Sequence, residues 1–416
     1  MFGFGTTASA PRPAATGGLG KVVGLDLNAS RLQGVTSAAG RPRPLALDAH
    51  GTLDLPAALH LGGRVPVVGA AALAVARKSP HLVCANFLPQ LGQATVWQAD
   101  RVKLTPEGAL AAVLDAARPA VAGESDCAEL ALPSYLSAAQ SRAVGEQAAK
   151  SKLPVRGTVV AALALVAHRA AQLTGAAPAE QGGRADWVVP LPRSSDGPVS
   201  VVVIDADDFA LTASLLSVGP GAVDLVASGA WPRAGVRLWK ERLLDAMADR
   251  CVRLCRRDPR DSADAEQALY DQLDGALDRV RAGQPVALTV RSAHWFQDLV
   301  HQPEEFDAFC LGVARPAAAG VFDMVREAGL PLPPAAVWLT HSAARLPGLA
   351  AAVHRTSPES TSVQALPPHA VAEAASALAV RRLAGLAGRG FLDTTIPLDG
   401  PGRAPVALPK PRESRR

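Results

Sequence analysis

Two stretches of the chain repeat one pattern of apolar and polar positions. Residues 21–35, KVVGLDLNASRLQGV, begin with an apolar run that ends at Asp26, continue through a polar break and finish in alternating residues. Residues 200–218, SVVVIDADDFALTASLLSV, follow the same plan, with the apolar run ending at Asp205. Each pattern is typical of a strand, a turn and a second strand. The repetition predicts two similar lobes, each opening with a hairpin whose bend presents a carboxylate.

Helical patterns fill much of the chain between and after these hairpins. The apolar spacing predicts helices, the second with Ser137 as its N-cap, over residues 106–117, 137–150, 237–256, 261–281, 306–328 and 347–354. Short strands are predicted at residues 128–132 and 336–339. Strands and helices mixed in this order favour an α/β fold with two sheets.

The two ends of the chain lack this periodicity. Residues 1–19 are rich in Gly, Ala, Pro and Thr, and residues 389–416 end in the basic run RAPVALPKPRESRR. Both ends are therefore predicted to be flexible. The length of 416 residues fits two lobes, with expected boundaries of 20–197 for lobe I and 198–388 for lobe II.

The net charge of +4 comes from the C-terminal tail. Residues 403–416 hold five Lys or Arg and one Glu, so the charges of the remaining chain sum to zero. Because a nucleic-acid reader needs a basic face on its folded body, we expect no nucleic-acid partner. The tail itself is either a dock for an acidic partner or a short solvated extension.

Compartment and metal chemistry are constrained by the apolar runs and the cysteines. No stretch approaches the roughly 18 unbroken apolar residues of a membrane helix, and the first residues lack the charged start and apolar core of a signal peptide. We therefore expect a cytoplasmic protein with no membrane partner. The five cysteines are an odd number and widely spread, which predicts buried thiols. Cys251 and Cys255 have helical spacing, but no second Cys or His pair completes a zinc site.

Several segments, taken in order, resemble the ATPase domain of the seventy-kilodalton heat-shock chaperones, a family of the actin-like ATPase superfamily. The most specific is LALPSYLSAAQSRAVGEQAAK at residues 130–150, and the others are residues 23–26, 55–72, 201–216, 338–347 (WLTHSAARLP) and 372–384. The resemblance implies an α/β, two-lobed actin-like ATPase fold, with two ribonuclease-H-like lobes around a central cleft. Residues 391–398, FLDTTIPL, resemble the stretch just past that domain, and we expect no peptide-binding domain after them.

The resemblance also implies a nucleotide site. Asp26 and Asp205 match the two aspartates that hold Mg²⁺ through water, and ATP or ADP with Mg²⁺ is the implied cofactor. Asn28 and Ser30 match the first phosphate loop, while Ser342 and Arg345 match the adenosine loop. Two alternatives stay open, because aspartates commonly cap turns between strands and an arginine at position 345 also suits a solvated surface.

Other positions depart from the family's pattern. Where the family's second loop carries three glycines and a threonine, this chain has Asp207, Asp208, Phe209 and Ala210. Two unit charges about 4 Å apart repel by ~4 kcal/mol at an effective dielectric constant near 20, so we expect this loop to repel phosphate. Residues 86–92 lack the family's lysine, and residues 159–162 lack its glutamate. The adenosine-loop glycines are replaced by His341 and Ser342, and side chains there are expected to fill the pocket.

These observations leave the protein's enzymatic status open and support different hypotheses. In the first, the protein is a degenerate ATPase that serves as an interaction or regulatory scaffold for an unidentified protein partner. In the second, it is a divergent ATP-binding or ATP-hydrolysing chaperone switch, in which Mg²⁺ bridges the extra aspartates to the phosphates. A sugar or acid kinase of the same superfamily is the third, but nothing in the sequence indicates a catalytic base or a sugar pocket. Nucleotide binding that depends on Mg²⁺ would discriminate the first two.

Overall fold

The computed structural model describes residues 21–38, 41–48, 50–99, 101–174, 197–330, 333–386 and 391–398. We call residues 21–174 the N-terminal half and residues 197–386 the C-terminal half. Both halves mix strands with helices, which confirms the predicted α/β class. The predicted flexible segment at residues 1–19 lies outside the described residues.

The N-terminal half contains eleven strands and four α-helices among its described residues. Its strands are β1 (Val22–Leu27), β2 (Arg31–Ala38), β3 (Arg41–Pro44), β4 (Asp54–Pro56), β5 (Ala58–His60), β6 (Val67–Val68), β7 (Val83–Ala85), β8 (Trp97–Ala99), β9 (Val102–Leu104), β10 (Cys127–Leu132) and β11 (Val155–Val160). Its helices are α1 (Ala70–Leu73), α2 (Pro106–Glu124), α3 (Ala138–Lys150) and α4 (Ala161–Thr174).

The C-terminal half and the segment that follows it supply the remaining elements. The strands are β12 (Val199–Ala206), β13 (Leu211–Val218), β14 (Ala222–Trp231), β15 (Val286–Arg291), β16 (Phe296–His301), β17 (Ala336–Leu339), β18 (Ser362–Ala365), β19 (Phe391–Asp393) and β20 (Thr395–Pro397). The helices are α5 (Val236–Cys255), α6 (Ala263–Tyr270), α7 (Leu273–Arg281), α8 (Pro303–Glu327), α9 (His341–Ala344), α10 (Leu349–Thr356) and α11 (Ala370–Leu383).

The two largest sheets have the same internal topology. In the first, the strand order is β19-β11-β10-β1-β2-β3, with β1, β2 and β3 antiparallel and β10 and β11 parallel to β1. In the second, the order is β18-β17-β12-β13-β14-β20, and β12 to β14 are again antiparallel while β17 and β18 run parallel to β12. The predicted pair of hairpins therefore opens two sheets built on one plan.

Local sequence explains the elements that were predicted well. All six residues of β1 are buried, as expected of a central strand with parallel and antiparallel neighbours. Helix α3 begins after Ser137, whose side chain accepts the Gln140 N–H in a capping box. The helix predicted over residues 261–281 is wrong in one respect, because it is split into α6 and α7.

Two helices join the halves. Helix α4 packs against β12, β13 and β14 of the C-terminal half, and α11 packs against β1, β2 and β10 of the N-terminal half. The approach of α11 is close: a Cβ at Gly24 would lie 1.9 Å from the Ala372 carbonyl oxygen and 2.2 Å from the Ser376 nitrogen. Only glycine fits this position, so β1 is placed directly against the helix that ends the C-terminal half.

The C-terminal segment corrects the prediction of a flexible tail beginning at residue 389. Strand β19 pairs with β11 at the edge of the first sheet, and β20 pairs with β14 at the edge of the second. Arg382 forms ion pairs with buried Glu129 at 3.2 Å and with Asp393 at 2.8 Å. Residues 391–398 therefore connect both sheets, and residues 399–416 lie outside the described residues.

One helix is an exception to the expectation that no segment is long and apolar enough to span a membrane. Of the described residues, those of α8 form the one helix long and apolar enough to cross a membrane, with a mean hydropathy of 1.4 in its most apolar window. Its buried face includes Phe306, Cys310 and Val321, which pack in the core of the C-terminal half. Core helices pass the same test of length and composition, so this helix is weak evidence for a membrane span.

Candidate functional site

The bends of the two repeated hairpins contact each other directly. The bend between β1 and β2 belongs to the N-terminal half, and the bend between β12 and β13 belongs to the C-terminal half. The Ala29 N–H donates to Asp207 Oδ2 at 3.0 Å, and the Asp208 N–H donates to Ser30 Oγ at 2.8 Å. Two backbone amides thus find side-chain acceptors across the boundary between the halves.

Asp207 is the centre of this contact. Its Oδ1 accepts the N–H groups of Phe209 and Ala210, both at 2.9 Å, while its Oδ2 accepts the Ala29 N–H and, at 2.7 Å, the Tyr135 hydroxyl. The Tyr135 ring also packs edge-on against Phe209, with ring centroids 5.0 Å apart. Burial raises the pKa of Asp207 to about 6, although the Ala210 and Ala29 N–H groups and the Tyr135 hydroxyl favour its charged form. One carboxylate therefore receives four convergent donors from both halves.

Asp26 and Asp205 both line one small cavity. The cavity measures about 10 Å³, and its lining also includes Arg31, Thr340 and His369. Asp205 accepts hydrogen bonds from the Thr340 hydroxyl and the Ala206 N–H. A cavity of this size holds about one water molecule.

Burial sets the protonation of Asp26. Only 5% of the residue is exposed. Burial, followed by the negative charge of Asp205, raises the pKa of Asp26 to about 7, and the Arg31 guanidinium opposes this rise. The pKa of Asp205 is also raised by burial, against the stabilising bond from Thr340. The two carboxylates are thus poorly solvated, and it is unfavourable for both of them to be charged at the same time.

The segment predicted as an adenosine loop is filled by protein contacts. Ser342 Oγ accepts a hydrogen bond from Arg31 Nη2 of the N-terminal half at 3.1 Å. His341 Nδ1 is hydrogen-bonded to Arg281, and burial together with that guanidinium lowers the pKa of His341 to about 3. The neutral imidazole therefore occupies this position as a packed hydrogen-bonding side chain.

Arg345 points toward helix α7 and away from the cavity. Its guanidinium forms ion pairs with Asp274 at 3.2 Å and with Asp278 at 2.7 Å, and it donates to the Asp274 carbonyl oxygen at 2.7 Å. Asp274 also accepts a hydrogen bond from the ammonium group of buried Lys240 at 2.7 Å. The arginine matched to the adenosine loop is thus held by two carboxylates.

The remaining predicted residues are divided by role. Asn28 Oδ1 accepts the Ser30 and Arg31 N–H groups, both at 3.0 Å, so Asn28 caps its own bend. Asp207 does the same for the second bend. The turn-capping role considered for Asp26 and Asp205 therefore belongs to the residues two positions later. Five of the six predicted site residues lie at or near the contact between the two bends, while Arg345 lies apart.

Sequence reasoning missed three residues of the site. Tyr135 follows β10, Arg31 is the first residue of β2, and Thr340 directly follows β17 as the N-cap of α9. Arg31 carried the clearest signal, because a cation directly after a bend that presents an aspartate suggests charge pairing. The other two are recognisable only from the sheet topology, which aligns the ends of β1, β10, β12 and β17.

A second contact between the halves lies at the segment that follows α1. Arg77 forms ion pairs with Glu241 and, at 3.4 Å, with Glu266, and its guanidinium lies 4.2 Å from the centre of the Tyr270 ring. The Arg77 N–H donates to Gln267 Oε1 at 2.7 Å. We call these contacts the Arg77 clasp.

The site as arranged does not fit a nucleotide with its magnesium ion. The N–H groups of the two bends already bind side chains of this chain, three of them binding Asp207, and the cavity lined by Asp26 and Asp205 is about 10 Å³. In the part of the chain that the structure describes, no group of three or more His, Cys, Asp or Glu is arranged to hold a metal. No family model matches the chain, and no curated protein is significantly similar to it in sequence.

Proposed function

We propose that this protein is a two-lobed, actin-like relative of the heat-shock chaperone ATPase domain whose nucleotide site is filled by its own side chains. In this proposal the N-terminal and C-terminal halves are lobes I and II, and the protein serves as a non-catalytic scaffold for a protein partner. The repeated sheet topology supports the two-lobed fold. The helices α4 and α11, each packed on the sheet of the opposite half, support it as well.

The observation that carries the proposal is the position of the Asp207 carboxylate. Phosphate-binding loops use backbone N–H groups from tight bends to receive an anion. Here the N–H groups of Ala29, Phe209 and Ala210 converge on Asp207, which is an anion supplied by the chain itself. An entering phosphate would have to displace this carboxylate and break the contact between the lobes.

Electrostatics opposes nucleotide entry further. A phosphate at the bends would meet the carboxylates of Asp207 and Asp208, and a unit charge about 4 Å away costs ~4 kcal/mol at an effective dielectric constant near 20. One such penalty lowers affinity by roughly three decades. The residues 86–92 and 159–162 supply neither the lysine nor the glutamate that the family uses to offset and direct this charge.

Nucleotide turnover and thermal stability test the proposal together. We expect no ATP hydrolysis by the purified protein and no rise in its melting temperature in millimolar ATP or ADP with Mg²⁺. A ligand at a hundredfold excess over its Kd stabilises by about 2.7 kcal/mol, which a melting curve detects easily. Turnover that is lost in Asp205→Asn would overturn the proposal.

A second candidate function is a switch driven by ATP and Mg²⁺. The observation that favours it is the pair of buried carboxylates, Asp26 and Asp205, on one cavity. In this account the lobes separate, Asp207 leaves the bends, and the ion shields the acidic groups from the phosphates. Thermal stabilisation that requires both Mg²⁺ and nucleotide would select this candidate.

The cytoplasmic location stays a prediction under either candidate function.

A further inference from the structure

Two contacts between the halves meet on one short stretch of helix α5. The first, which we call the bend contact, consists of the two hydrogen bonds that the Ala29 and Asp208 amides donate across the boundary. The second is the Arg77 clasp, in which Arg77 pairs with Glu241 of α5. Helix α5 begins at Val236, and the five residues from there to position 241 span about 7.5 Å at 1.5 Å per residue.

The start of α5 is fixed to the second bend by its backbone. The Val236 N–H donates to the Asp207 carbonyl oxygen at 2.8 Å. Gly235 is the N-cap of the helix, and a Cβ at this position would lie 2.7 Å from the Phe209 carbonyl carbon and 2.9 Å from the Asp208 carbonyl oxygen. Because this approach leaves no room for a side chain, the helix cannot move relative to the bend without breaking these contacts.

Lys240 anchors the same stretch of helix from within the protein. Its buried ammonium group donates to Asp274 of α7 at 2.7 Å and lies 5.4 Å from the centre of the Tyr270 ring. Arg77 packs on the same ring, 4.2 Å from its centre. Burial raises the pKa of Asp208, and the charge of Lys240 opposes that rise. The field of one buried cation therefore reaches both contacts.

We propose that the bend contact and the Arg77 clasp form one cooperative unit connected by residues 235–241, so that the halves separate at both places or at neither. Sites without shared partners act additively, whereas these two contacts share one rigid stretch of helix. Movement of Glu241 away from the N-terminal half therefore carries Val236 and the second bend with it. A ligand that opens either contact would weaken the other, in both directions by reciprocity. This inference goes beyond the proposed function, because the coupling needs no nucleotide.

Native-state hydrogen exchange at three amides tests the inference. The Ala29 and Asp208 amides report on the bend contact. The Arg77 amide reports on the Arg77 clasp, because it donates to Gln267 of the opposite half. The Val202 amide lies in the central strand β12 and serves as the reference for global unfolding. Local opening speeds the exchange of the amides that it frees, so each rate is compared with this reference.

Substitutions at either contact should act on the other one. Arg77→Met removes the cation and keeps the amide, and it should speed exchange of both bend-contact amides about tenfold relative to the reference. Ser30→Ala removes the acceptor of the Asp208 amide, and it should speed exchange at Arg77 by a similar factor. The hydrogen bond of Lys240 stays within the C-terminal half, yet Lys240→Met should speed exchange at both contacts.

A matched control and the reference amide keep the test decisive. Arg250→Met is the control, because Arg250 is a cation of the same helix whose ion pair with Glu305 stays within the C-terminal half, and it should leave all three reporter amides unchanged. Faster exchange confined to the substituted contact, in either Arg77→Met or Ser30→Ala, would overturn the inference. Equal acceleration of the Val202 amide would contradict it too, because only global stability would then have changed. None of these readouts involves nucleotide, so they fail independently of the turnover and melting experiments.

Discussion

The Asp207 carboxylate of the C-terminal half accepts the Ala29 N–H of the N-terminal half at 3.0 Å, across a sequence separation of 178 residues. Both residues lie in the bends of the repeated hairpins. The bond ties the two halves together. In the proposed function, the carboxylate takes the place of an anion from solution.

Removal of the Asp207 charge should weaken the contact between the halves. In Asp207→Asn the amide keeps one acceptor for its own bend but offers N–H donors to Ala29 and the Tyr135 hydroxyl, which are donors themselves. We expect a loss of about 1–3 kcal/mol in the free energy of unfolding, measured by urea denaturation. Asp126→Asn, at an exposed position, is the control and should change little.

A double-mutant cycle should show that Asp207 and Tyr135 act together. Tyr135→Phe removes the hydroxyl that donates at 2.7 Å and keeps the ring against Phe209. We expect the two substitutions to be non-additive, with a coupling energy of about 0.5–3 kcal/mol. Strict additivity would mean that the carboxylate does not depend on the tyrosine.

Stability should fall as the pH rises above about 6.5. The folded-state pKa values of Asp26, about 7, and Glu129, about 8, are raised by burial, so the native state binds protons more tightly than the unfolded chain. Their stabilising effect is complete at low pH and is lost as the pH rises through these values. His168 and His341 act in the opposite direction, because burial lowers their pKa values to about 4 and about 3, but this effect levels off above pH 6.5.

Asp26→Asn isolates one part of this dependence. Asparagine resembles the protonated aspartate, so the variant should exceed the stability of the wild type by more at pH 8 than at pH 5, because the unfolded aspartate ionises near pH 4 and the folded one at about pH 7. The expected gain is a few kcal/mol at most, at roughly 1.4 kcal/mol per pKa unit. Unfolding curves at both pH values measure it, and an equal difference at the two values would refute the assignment.

Gly24→Ala should disrupt the packing of α11 on β1. The added methyl group would meet the Ala372 carbonyl and Ser376 nitrogen at 1.9 and 2.2 Å, and neither backbone atom can rotate away. We expect a loss of about 3 kcal/mol or more. Gly123→Ala is the matched control, because nothing lies within 4 Å of the new methyl group in helix α2, and it should stabilise by about 0.5–1 kcal/mol.

Arg77→Ala should loosen the halves at the Arg77 clasp. The substitution leaves Glu241 and Glu266 without their cation and removes the stacking on Tyr270. We expect a larger radius of gyration in small-angle scattering and a loss of about 1–3 kcal/mol. Arg326→Ala removes an exposed pair with Asp323 and should have about no effect. An unchanged radius would show that the clasp does not hold the halves.

The sequence was sufficient for the elements whose signals are local. The hairpins at Asp26 and Asp205 follow from apolar runs broken by polar residues, and helix α3 follows from the Ser137 capping box. The split between α6 and α7 was missed because no Gly or Pro marks it. Strands β19 and β20 were missed because each is only three residues long and pairs with a strand that is distant in the sequence.

Predictions of the site divide in the same way between local signals and contacts that join distant segments. The sequence indicated that the extra aspartates at 207 and 208 would repel phosphate. It did not indicate the hydrogen-bond partners of Asp207, because Ala29 and Tyr135 come from distant segments. Arg345 was placed by resemblance, and its partners on α7 could not be read from spacing alone. Residue type predicted that phosphate binding is lost, whereas the contacts of Asp207 can be seen only in the fold.

Isothermal titration of ATP and ADP into the wild-type protein, with and without Mg²⁺, tests the central claim most directly. Because Asp207 holds the donors of both bends, we predict no saturable heat at millimolar nucleotide under any of these conditions. Saturable binding that requires Mg²⁺ and disappears in Asp26→Asn or Asp205→Asn would contradict the account and establish a nucleotide switch.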